Sequence, residues 1–132
     1  NTYEFANYIG NKFNIQVKYK PSVAHIPLRD FITEWSSCMY HFNLDPIDYF
    51  PGKQAVHVAS VGSINIGGVN ENHSLLYPDT ATCDTKILED RVVEYIEDEN
   101  KRNDVIINAW RKLNEVFSFD SVRKQIEDIK YV

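Results

Sequence analysis

The sequence predicts a single α+β domain over residues 1–132: a small, mainly antiparallel sheet packed by a central helix, with a C-terminal helical hairpin or three-helix segment. Three observations predict it. Between Pro27 and Phe42, the residues Leu28, Phe31, Ile32, Trp35, Cys38, Met39 and Phe42 recur at the i, i+3, i+4, i+7 spacing of a helix with one buried face. Short runs rich in β-branched residues sit between Gly, Pro and Asn punctuation in the first 80 residues, as strands do. From Lys86 onward three apolar stripes of helical period follow one another through short connections.

The elements are justified in order. Phe5, Ile9 and Phe13 place a first helix up to about Lys12, with Thr2 as its cap. Ile15, Val17 and Tyr19 alternate with polar residues, which reads as a strand ended by Pro21. Ser22 to Ile26 connects to the central helix, whose first position suits Pro27 because that amide has no intrahelical partner. Asn43, Asp45-Pro46 and Pro51-Gly52 mark a loop. Ala55 to Val61 reads as a strand with both faces apolar or small, and Ile64 and Ile66 as another. Ser74 to Tyr77 reads as a short strand, and Pro78 to Thr85 as a loop.

The first C-terminal helix spans Lys86 to Lys101 on the stripe Leu88, Val92, Tyr95 and Ile96. The second carries Ile106, Ala109, Trp110, Leu113 and Phe117, with Asn103 as its cap. Ser118 caps the last, whose stripe is Val122, Ile126 and Ile129, and Phe117 and Val122 have the spacing of a hydrophobic staple.

Length and composition bound the function. At 132 residues, 43% hydrophobic and 25% charged, the chain has ordinary globular values and can close one core. No apolar run approaches the roughly 18–20 residues of a membrane span, and no charged-then-apolar leader opens at Asn1. A formal charge of −5 argues against direct nucleic-acid binding, whose footprint is a basic face, and suits a basic protein partner. Cys38 and Cys83 form no pair motif, which fits a reducing cytoplasm.

The catalytic patterns are weak. Pro78-Asp79 with Glu99-Asn100-Lys101 matches the PD…ExK string of metal-dependent nucleases, but Glu99 to Lys101 falls at a helix end, where that chemistry needs adjacent strands. Ser63 is not in a nucleophile elbow, and Cys83 has no identifiable His partner. Gly62, Gly67 and Gly68 do not form a dinucleotide fingerprint, and Gly52-Lys53 lacks the rest of a phosphate loop. His25, His41, His57 and His73 lack the close pairing of zinc motifs, so no cofactor or metal is expected.

Two groups of residues suit protein contact. Asp45, Asp48, Tyr49 and Phe50 combine steering charge with rigid ring area in one loop. Glu94, Glu97 and Asp98 form an acidic run. The expectation is therefore a non-catalytic protein-binding module, in its concrete form an immunity- or antitoxin-type inhibitor covering the basic active site of a nuclease toxin. The alternatives are a nuclease using Asp79, Glu99 and Lys101, and a viral or structural assembly protein.

Overall fold

The computed structural model describes residues 1–19, 27–44 and 53–130. Among these the order is α1 (Thr2–Phe13), α2 (Leu28–Ser36), β1 (Tyr40–Phe42), α3 (Lys53–Ser60), β2 (Ile64–Ile66), α4 (Glu71–Leu76), α5 (Thr85–Glu97), α6 (Glu99–Phe117) and α7 (Phe119–Lys130). The class is α+β and mostly helical. The sheet, however, is parallel: Tyr40 pairs with Ile64, His41 with Asn65 and Phe42 with Ile66.

The parallel register explains the main departure from the sequence reading. Parallel strands need a crossover connection, and α3 supplies it. Residues 55–61 were expected as a strand because Val and Ala alternate there. The same residues satisfy helical spacing, and Ala55, Val58 and Ala59 are the buried ones. Of the strand expected at Ser74–Tyr77, Ser74 to Leu76 are likewise helical and Tyr77 is the residue that ends the helix. Asn70 caps α4 by accepting from the His73 amide at 3.0 Å, which starts a helix where periodicity alone suggested a strand. Ile15 to Tyr19 forms no strand; Ile15 and Tyr19 are exposed and the Tyr19 ring lies 5.1 Å from that of Tyr3.

The expected central helix is shorter than its stripe and none of its residues is fully buried. Ser36 and Ser37 donate their hydroxyls to the carbonyls of Thr33 and Glu34 at 3.2 and 2.6 Å, a competition with the backbone that ends the helix. The chain then enters β1, so Phe42 belongs to a strand and not to the helix. At the N-terminus the cap is Asn1, which accepts from the amides of Tyr3 and Glu4. Thr2 instead accepts from the Leu44 amide at 2.9 Å and ties α1 to the end of β1.

The core gathers Phe5, Ile9, Ala55, Val58, Ile64, Ile66, Leu76, Tyr77, Leu88, Val92, Tyr95 and Ala109. Each fully buried aliphatic side chain contributes about 1.5–3 kcal/mol. Ala109, without any exposed surface, sits where α6 packs on α3, α4 and α5. The predicted helix 86–101 is divided at Asp98, whose backbone turns extended and whose carboxylate caps α6 by accepting from the amides of Asn100 and Lys101. Asn103, expected as that cap, lies inside α6. Ser118 does cap α7, accepting from the Ser121 amide at 3.1 Å.

The outer edge of β2 has no strand beside it among the described residues, and side chains finish its hydrogen bonding. The buried Tyr77 hydroxyl donates to the Ser63 carbonyl at 2.7 Å, and the Thr80 hydroxyl donates to the Asn65 carbonyl at 2.6 Å. The Gly67 amide donates to the Thr80 carbonyl at 3.0 Å. Buried Asn65 accepts from the Gln54 amide nitrogen and donates to the Gly67 carbonyl, both at 3.0 Å. Gly67 and Gly68 both have positive φ, and a Cβ at Gly68 would run into the His73 ring.

Two outcomes follow for stability. Tyr77→Phe and Thr80→Val each leave a buried carbonyl without its partner, and urea unfolding should register a loss of about 1–3 kcal/mol for each. Gly68→Ala adds both a left-handed strain and a clash, so it should lower the urea midpoint well beyond Gly62→Ala, where a Cβ meets nothing within 4 Å.

Candidate protein-binding surface

The two groups expected to contact a partner fare differently. Asp45, Asp48, Tyr49 and Phe50 lie outside the described residues. Asn43 and Leu44, which lead into them, are held at the carboxyl end of the sheet: the Asn43 amide donates to the Ile66 carbonyl at 2.9 Å.

Glu94, Glu97 and Asp98 meet at the corner between α5 and α6. Glu94 accepts from Lys101 at 3.0 Å and from Arg91 at 3.1 Å, and those hydrogen bonds, Lys101 first, hold its carboxyl below the usual range. Asp98 is occupied with capping α6. Glu97 and Glu99 are the exposed carboxylates of the corner. The corner is thus partly an internal charge network that fixes the break between two helices.

Asp79, Glu99 and Lys101 do not form the strand-borne arrangement of a PD…ExK site. Asp79 is exposed in the turn after α4, near enough to Tyr95 that its charge, second to burial, helps push that phenol up to about 12. Glu99 and Lys101 are in the first turn of α6, and Lys101 is paired with Glu94. Among the described residues no group of three or more His, Cys, Asp or Glu side chains is placed to hold a metal ion. Cys38 and Cys83 are free and half-buried, and the Cys83 thiol donates to the Leu44 carbonyl at 3.4 Å.

Two features were not anticipated. The first is an aromatic cluster that holds α2 in place. Trp35 stacks on His41 with ring centroids 4.6 Å apart, while His57 from α3 meets Phe31 and Trp35 edge-on at 5.2 and 6.0 Å. His41 Nε2 lies 2.9 Å from the Trp35 carbonyl oxygen. Burial lowers the pKa of both imidazoles, and the Lys53 charge adds to the effect at His57. The distances in sequence between positions 35, 41 and 57 carry no signal of this convergence.

The second is the surface of the last helix. Ser121 donates to the Glu115 carbonyl and Gln125 to the Val116 carbonyl, so that edge of α7 lies on α6. The apolar stripe faces away: Phe119 is 91% exposed, Val122 41%, Ile126 51% and Ile129 72%. Trp110, on α6, is also exposed. The sequence does signal the stripe, but the same period serves a buried face and an open one. Exposed apolar residues grouped on one helix face mark contact surfaces more often than scattered ones do.

No helix among the described residues is long and apolar enough to cross a membrane. Comparisons of the chain with protein-family models, curated proteins and solved structures found no match.

The imidazole pair carries a pH dependence. Both folded pKa values lie below the unfolded value near 6.5, so the unfolded chain binds more protons and stability falls as pH drops through and below 6.5. In a Trp110→Phe background, Trp35 fluorescence should report a constant urea midpoint from about pH 7 to 8 and a declining one toward pH 5. His41→Phe, which keeps a ring against Trp35 and cannot titrate, should flatten that decline.

Proposed function

We propose that the protein is a non-catalytic protein-binding module that uses the apolar face of α7 as its principal contact. The observation that carries this reading is the alignment of Phe119, Val122, Ile126 and Ile129, all exposed, along one helix. Burying such a stripe on a partner supplies the driving force for association, and an exposed Phe is a rigid anchor with little rotamer entropy to lose. The free thiols of Cys38 and Cys83 fit a reducing compartment such as the cytoplasm.

A more specific version has an acidic surface cover the basic active site of a nuclease, as an immunity or antitoxin protein does. It is supported by the formal charge of −5 and by the exposed Glu97 and Glu99. Binding of that kind weakens steeply with salt, whereas binding through the α7 stripe does not.

Phe119→Glu combined with Ile129→Glu should abolish partner association while leaving the circular dichroism spectrum and thermal midpoint unchanged, because both side chains are largely in solvent. A large fall in the midpoint would mean that the stripe supports the fold, and would refute the reading. Magnesium-dependent cleavage of nucleic acid that disappears in Asp79→Ala would replace it with the nuclease.

A further inference from the structure

The parallel ladder leaves one side of β1 unused. The Ile64 amide donates to the Met39 carbonyl at 2.8 Å and the Asn43 amide to the Ile66 carbonyl at 2.9 Å. With the observed register, the backbone of His41 therefore faces β2, and the N–H and C=O groups of Tyr40 and Phe42 point the other way. Among the described residues those outward groups meet no hydrogen-bond partner. The next outward amide, that of Leu44, is taken by the Thr2 hydroxyl at 2.9 Å, so the open stretch ends there.

Helix α1 shows what runs along that side. Thr2 meets Leu44 and the Phe5 ring meets Phe42, so α1 runs antiparallel to β1. One flank of α1 gives Tyr8 and Lys12 to Glu89 of α5. By helical spacing Tyr3 and Gly10 lie on the opposite flank. The chain turns back along that flank. Asn14 takes left-handed backbone with φ 54°, and the Ile15 amide donates to the Gly10 carbonyl at 2.8 Å. Val17 then packs so closely on Gly10 that a Cβ there would strike it, and the Tyr19 ring lies 5.1 Å from that of Tyr3. Residues 15–19 therefore run in the direction of β1, on the flank of α1 turned away from α5. Helix α2 lies between them and β1 in the chain, as α3 lies between β1 and β2, and such a crossover is what neighbouring parallel strands require.

We infer that Ile15–Tyr19 is a strap that closes onto the free edge of β1 as a third parallel strand, in the order strap, β1, β2. Its composition suits that place. Ile15, Val17 and Tyr19 alternate with Gln16 and Lys18, whose side chains are exposed. Val17 and Tyr19 face α1, and so does Phe42, with Tyr40 on the same side by the two-residue period. Partners in a parallel pair share a face, so the odd-numbered strap residues stand beside Tyr40 and Phe42. The backbone groups of Gln16 and Lys18 then meet those of β1, and in either register the Lys18 amide donates to a β1 carbonyl. Closure covers an edge that would otherwise template pairing with another chain. Helix α7 plays no part in it.

Amide hydrogen exchange of the full chain, followed residue by residue by NMR, tests the closure. The Tyr40 and Phe42 amides should exchange about a hundredfold more slowly than in an unstructured peptide. Lys18→Pro removes the donor aimed at β1 and should return those two amides to nearly free exchange, whereas Lys18→Ala keeps the donor and should leave them protected. His41 and Ile66, whose amides lie within the β1–β2 ladder, should respond to neither variant. Fast exchange at Tyr40 and Phe42 in the wild type, or equal exchange in Lys18→Pro and Lys18→Ala, would overturn the strap. If Lys18→Pro also releases His41 and Ile66, the wild-type nuclear Overhauser spectrum decides. A contact between the Lys18 amide proton and an α-proton of β1 supports closure, and its absence refutes it.

Discussion

A parallel pair of three-residue strands leaves two open edges, and the rest of this fold depends on how β2 closes one of them. Its outward carbonyls at Ser63 and Asn65 are buried, where an unpartnered peptide oxygen costs on the order of 1–3 kcal/mol. Two hydroxyls, from Tyr77 and Thr80, take the place of a third strand. Both residues are themselves buried, so the stretch after α4 is bound to the sheet as firmly as a strand would be. Extension of the sheet on that side is thereby blocked, a common safeguard for an exposed edge. Asn65, between Gln54 and the Gly67 carbonyl, joins the crossover helix to the same network.

From this closed edge the helices take their places. The buried side of β2 presents Ile64 and Ile66 to a core shared with α3, α4, α5 and α6. The corner at Asp98 converts what would have been one long helix into two that pack on each other. Glu94, clamped by Arg91 and Lys101, holds that corner from outside. Elsewhere Trp35, His41, His57 and Phe31 interlock α2 with β1 and α3, and Glu89 of α5 receives both Tyr8 and Lys12 from α1. Every element up to α6 is therefore anchored by buried or ring contacts. Among the described residues α7 is anchored to α6 along one edge, and its apolar stripe is exposed.

Much of the local structure was legible. The C-terminal helices, the cap at Ser118 and the strand at Ile64–Ile66 follow from period and capping chemistry, which act over a few residues. The errors have both long-range and local causes. Residues 55–61 satisfy both a two-residue and a helical period, and only the parallel pairing of β1 with β2, 24 positions apart in register, demands a helix between them. Trp35 and Phe42 share a stripe in the sequence, yet Ser36 and Ser37 end the helix and place them on different elements. Of the residues expected at a binding surface, Glu94 and Asp98 turned out to be engaged with their own neighbours, a use that charge patterning cannot distinguish from display.

The amino-acid order by itself determined the cap at Ser118, the acidic balance of the chain, and which residues are apolar enough to seek cover. Only the tertiary structure decided the direction of the sheet, the convergence of two histidines on one tryptophan, and which apolar stripe stays uncovered. The reason is range. Capping and periodicity are settled within a few residues, whereas pairing direction and burial depend on partners distant in the chain, and a stripe reads the same whether it meets its own core or another molecule.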